Sequence, residues 1–171
     1  MVTRRIQVGA VTLAAIGLLA GCSSGGQAET EQPAVENGLA GCGPLSVPRI
    51  EKVSGVTNLR PVSSPTICSW VGVSAAGDGE IVDITYSWLK KNSLMFDRQT
   101  ALQLGYQTEN MVTKSFGGFY WRDPRDPGSC AVSAADSGTV TWWVHHRDHN
   151  PQPDPCPAAW QLIFETVKLD G

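Results

Sequence analysis

Four absences narrow the reading at the outset. The chain has no HExxH pattern and no glycine-rich phosphate loop, so the familiar signatures of zinc proteases and nucleotide-binding proteins are missing. It has no excess of positive charge: 13 Lys and Arg stand against 16 Asp and Glu, which leaves no electrostatic footprint for nucleic acid. No apolar run reaches the roughly 20 residues that a membrane-spanning helix needs. None of the five cysteines forms a CxxC pair, which argues for disulfides over a compact set of thiolate metal ligands.

What is present starts at the N-terminus. Arg4 and Arg5 form a basic segment, and residues 8–20 are almost wholly apolar, in the order of an export signal. The signal ends on Leu19-Ala20-Gly21-Cys22, the arrangement of a bacterial lipobox. There the Cys22 thiol takes a diacylglycerol through a thioether, and the small neighbours let a peptidase close on the backbone. Each buried methylene contributes about 0.8 kcal/mol, so two or three acyl chains hold a protein on a membrane where one does not. The expected division is a lipoprotein signal peptide over 1–21, the lipidated Cys22 with a linker over 22–41, and one globular domain over 42–171. Loss of the signal removes two positive charges and makes the chain more acidic. Residues 23–39 are mostly Ser, Gly, Gln, Glu, Pro and Ala, a composition that buries too little apolar surface to offset its ordering entropy.

Cys42, Cys68, Cys130 and Cys156 remain, an even number in an exported domain. Three pairings are possible. The favoured one joins Cys42 to Cys68 and Cys130 to Cys156, two loops of equal length that each tie a helix to a strand and contribute about 3 kcal/mol apiece.

Helical spacing and caps predict a short helix near 47–54 between Ser46 and Gly55, a central helix from Asn92 or Ser93 to about Gly105, and a last helix opened by Asp154 and Pro155. In the central helix Leu94, Arg98, Ala101, Leu102 and Tyr106 are spaced to share a stripe. In residues 81–88, Val82, Ile84, Tyr86 and Trp88 alternate with Asp83, Thr85 and Ser87, the period of a half-buried strand. Further strands are expected at 68–71, at 116–121, at 130–134 and at 139–145, with turn chemistry in residues 122–129 and 136–138. The fold class is therefore α+β: a mostly antiparallel sheet with a short N-terminal helix, a central helix and a C-terminal helix, held by two disulfides.

The lipobox, Cys42, ICSW at 67–70, VDITYSW followed by SLMFDR, RDPRDPGSCAV at 122–132, GTVTWWV at 138–144 and DPCPAA at 154–159 together resemble the LprB/LprC-like actinobacterial lipoproteins, a family of unknown function. The resemblance covers about residues 42–168. It implies a mycobacterial or related cell envelope, and it brings no activity with it.

Three stretches could carry chemistry. Residues 142–150 place His145, His146, Asp148 and His149 close together, enough donors for zinc or copper. Neighbours on a strand point to opposite faces, so His145 and His146 are poorly placed to share an ion, and a solvated strand end without a metal is the expectation. The second stretch is aromatic. If Val140, Trp142 and Val144 face the core, Trp143 lies among Thr139, Thr141 and His145 on the other side, where with Phe119 and Trp121 it forms a candidate binding face for an apolar ligand, a glycan or a partner protein. The third would be catalytic, but Asp123 and Asp126 are explained as turn residues. The expected protein is thus a non-enzymatic binding or interaction module, without a cofactor, on the extracytoplasmic side of the cell membrane. The first alternative is a carrier of a lipidic or glycan ligand in a Trp-lined groove, and behind it stands an envelope hydrolase or metal-binding protein.

Overall fold

The computed structural model describes residues 42–169 apart from 63, 65, 77 and 78. Cys22, the signal segment and the linker lie outside the described residues.

Seven strands form a single antiparallel sheet. They are β1 (Val56–Val62), β2 (Cys68–Ser74), β3 (Ile81–Leu89), β4 (Gln107–Val112), β5 (Gly117–Arg122), β6 (Ser129–Ala135) and β7 (Thr139–His146), in the spatial order β1-β2-β3-β7-β6-β5-β4. Two hairpin-connected runs, β1 to β3 and β4 to β7, meet where β7 pairs with β3 over Val82↔His146 to Leu89↔Thr139. That pairing leaves β3 and β4 parallel, so the link between them must cross the sheet. It does so through α2 (Leu94–Gln103).

The remaining helices, α1 (Val47–Ser54) and α3 (Pro155–Leu169), cover the opposite face of the sheet, so the α+β class expected from the sequence is the observed one. α1 stops at Gly55, whose φ of 71° lies in the left-handed region that a residue without Cβ adopts freely. α3 starts as its sequence dictates: Asp154 Oδ1 accepts the Cys156 N–H at 3.0 Å, and Pro155 occupies a first-turn position where no N–H is needed. Arg49 of α1 donates to Glu165 of α3 and ties the two helices together.

The core lies between the sheet and the α1/α3 layer. Val82, Ile84 and Tyr86 of β3 and Val140, Trp142 and Val144 of β7 are buried there. Trp142 is its centre: its ring lies 5.7 Å from Trp70 and 4.9 Å from Tyr86, and its Nε1 donates to Thr166 Oγ1 at 2.8 Å. A buried indole brings a large apolar area and one N–H that must find an acceptor, and Thr166 supplies it.

Cys130 and Cys156 are bonded, which staples the start of α3 to β6 as expected. Cys42 and Cys68, expected as a second disulfide, are free thiols here, one exposed and one buried. They stand within hydrogen-bonding reach of each other, and burial followed by the Cys42 contact pushes the Cys68 thiol up to about 12. A second departure concerns α2. Of its predicted stripe only Ala101 is buried, whereas Leu102 is exposed together with Met95, Phe96 and the flanking Leu104. Its apolar residues are spread around the helix and do not form a single stripe.

Candidate functional site

The face of the sheet on the α2 side carries two neighbouring features. Strand register lines them up. Leu89↔Thr139, Ser87↔Thr141, Thr85↔Trp143 and Asp83↔His145 are successive rows pointing to that side, each two residues along from the last.

The first three rows and α2 enclose a groove of about 310 Å³. Trp121 and Trp143 form its floor and Ile67, Leu89, Phe96 and Leu104 its apolar walls. The floor is stiff: Trp143 meets Trp121 edge to face at 4.8 Å and Tyr106 at 5.9 Å, Trp121 Nε1 donates to Ser133 Oγ at 3.1 Å, and Trp143 Nε1 donates to Ser129 Oγ. Both indole N–H groups are thus satisfied within the protein, and the rings offer carbon surface to whatever enters. Phe96 and Leu104 are 58% exposed each, an apolar rim on a helix that α1 and α3 do not cover. The lining contains hydroxyls and Asp97, which accepts from Asn92 at 2.9 Å, and no histidine, lysine or cysteine.

Of the expected binding face, Trp143 and Trp121 are therefore together and accessible. Phe119 is not part of it. It packs 6.2 Å from Trp121 and is buried to 1% exposure, because β5 is covered at that position.

One row further along is the second feature. Asp126, His145 and His149 bring one ligand atom each to within 4.8 Å of one another. His145 Nε2 stands 3.1 Å from Asp126 Oδ2, and His149 Nδ1 is 2.9 Å from Asp126 Oδ1. On the other side of the His145 ring Asp83 Oδ2 is 3.8 Å from Nδ1, and Asp83 is held by two bonds from Arg147 at 2.7 and 2.8 Å. His146 points through the sheet to the opposite side, as strand alternation requires, and is buried with Nδ1 3.1 Å from both Glu80 Oε1 and Asn150 O. Asp148 joins that second group as a neighbour of Glu80. Of the residues expected to compete for an ion, the structure keeps His145 and His149 together and removes His146 and Asp148. Asp126 was hidden as a partner because it sits in a turn 19 residues before His145, and only the Ser129↔His145 register brings it near.

Two larger cavities open elsewhere. One, of about 450 Å³, is bounded by Glu109, Tyr120, Arg122 and Asp154, with Arg122 donating both bonds to the Asp154 carboxylate. The other, of about 400 Å³, runs between α1 and the start of α3. In the first, Arg122 and Asp154 already satisfy each other, so it is a poorer receptor for an apolar ligand than the groove.

Residues 17–169 match the family described as protein of unknown function (DUF3558). The chain belongs to this family. No curated protein and no solved structure matches it. In this DUF3558 chain the groove and the histidine cluster, both on the α2 side, are consequently assigned on their own chemistry. Among the described residues no helix is long and apolar enough to cross a membrane.

Proposed function

We propose that this DUF3558 protein is a lipid-anchored, extracytoplasmic binding module of the LprB/LprC-like lipoprotein kind, and that the groove beneath α2 takes a single alkyl or acyl chain of an envelope lipid. The anchor rests on the lipobox at Leu19 to Cys22, on the sequence resemblance, and on a cystine, Cys130 with Cys156, of the kind exported proteins keep. A binding role is favoured over catalysis because the groove's lining, as described, sets no histidine or lysine beside its hydroxyls, and its one carboxylate, Asp97, is engaged by Asn92.

The observation that carries the ligand class is the combination of an indole floor with exposed apolar walls in a groove of about 310 Å³. That volume is at the low end of the roughly 300–1,000 Å³ of ligand pockets, so it suits one chain and is too small for a whole diacyl lipid. A glycan would stack on the same rings but would need outward hydrogen-bond donors, and both indole N–H groups are already committed.

A dibrominated long-chain fatty acid tests the reading, since bromine quenches only the tryptophans it touches. Saturable quenching in the full-length protein, weakened at least tenfold in F96D and L104D, is the expected result. Those two residues are exposed, so the variants should fold. Quenching that is absent or unchanged in both variants rejects the groove, and saturable binding of an envelope oligosaccharide would transfer the site to a glycan.

A further inference from the structure

We propose that Asp126, His145 and His149 form a binding site for one divalent transition-metal ion of the zinc class, a site independent of the lipid groove. Two imidazoles with one carboxylate are a nitrogen-rich set that suits zinc, copper or nickel and is unsuited to calcium or magnesium, which take oxygen ligands. Zinc sits about 2.0–2.1 Å from nitrogen and about 2.0–2.2 Å from carboxylate oxygen, so donor atoms around a tetrahedral ion stand about 3.4 Å apart. The two approaches to Asp126, 3.1 and 2.9 Å, are a few tenths of an ångström below that spacing, and all three donors fall within 4.8 Å.

Three features show a built arrangement. His145 Nε2 is buried and 3.1 Å from Asp126 Oδ2, yet it makes no hydrogen bond there, so the nitrogen sits at the cluster with its hydrogen-bonding capacity unused. Asp83 Oδ2 lies 3.8 Å from the other nitrogen of the same ring, beyond hydrogen-bonding distance but close enough to favour a positive charge on the ring or at the cluster. The backbone fixes the third ligand: His149 has a φ of 62°, and its N–H donates to His146 O at 3.0 Å. The turn that carries Asp126 reaches it only because Gly128 has no side chain. A Cβ at Gly128 would lie 2.7 Å from the His149 carbonyl carbon.

The three ligands belong to the β5–β6 turn, the end of β7 and the loop after it, so a bound ion would clasp the open end of the sheet on the α2 side. With only three protein ligands, a fourth position is left to water or to a group of a partner.

Zinc sulfate titrated into the chelator-stripped, full-length protein in detergent, followed by calorimetry, tests the site. Expected are one equivalent per chain, a rise in Tm on loading, at least a tenfold loss of affinity in H149N and in D126N, and a smaller loss in D83N. Asparagine tolerates the left-handed backbone at 149, so H149N should keep the apo fold, which circular dichroism checks. Cobalt as a second probe should give a visible spectrum without thiolate charge transfer. Absence of binding, displacement by magnesium or calcium, or undiminished affinity in both H149N and D126N would overturn the assignment, the last by moving the ion elsewhere, for example to Cys42 and Cys68.

Discussion

Glu80 is a carboxyl in an unusual position. It lies beneath the loop after β7, 3.1 Å from the buried His146, and burial followed by the neighbouring Asp148 carboxylate raises it from 4.5 to about 7. The folded protein thus holds a proton that the unfolded chain releases. This carboxyl's contribution to stability is full below pH 4.5 and is lost as the pH rises through about 7. Thermal unfolding should show Tm falling between about pH 5 and 7.5, and E80Q should flatten that slope; an unchanged slope in E80Q would place the titration elsewhere. Thr166 is a second residue whose role is confined to one atom. T166V keeps the shape but leaves the Trp142 N–H buried without an acceptor, a loss of about 1–3 kcal/mol that urea denaturation would register.

The staple between β6 and α3 acts on whole elements. Replacing both Cys130 and Cys156 by alanine should cost about 2–5 kcal/mol, and hydrogen exchange should locate the loosening at the first turn of α3. Gly128 works at the same scale: G128A forces the β5–β6 turn away from the 149–150 loop and should separate Asp126 from His149, seen as lost zinc binding with the core intact. α1, α3, β3, β6 and β7 were legible in the sequence because caps, alternation and turn residues all agreed there. β1 and β4 were not. Both are edge strands, β1 interrupted by an irregular register between Thr57 and Arg60 and carrying Pro61, β4 mostly exposed polar residues, so neither shows the alternation of a half-buried strand. The opposite sides taken by His145 and His146 followed from strand alternation, whereas Asp83 and Asp126 needed the β3–β7 and β6–β7 pairings before they could be placed beside His145.

At the scale of the whole described domain, the two faces of the sheet are covered unequally. The α1/α3 side contains the core and its staple, and the α2 side, where Phe119 and Ala101 are buried, leaves Met95, Phe96, Leu102 and Leu104 exposed among the described residues. In an oxidising buffer Cys42 and Cys68 should also close, each giving up one hydrogen to an added disulfide such as oxidised glutathione, so that the intact mass lies about 4 Da below the fully reduced one. A C22A variant should lose all labelling by radioactive palmitate, and labelling that persisted would reject the anchor. The most direct test of the binding role is native mass spectrometry of the full-length protein taken gently from its membrane, with the mass after denaturation as reference. The account predicts an added mass of one apolar lipid that leaves on denaturation, separate from the covalent lipid that stays, and absent from the variant carrying both F96D and L104D. A chain bearing only its covalent lipid, or an added mass retained by that variant, would contradict it.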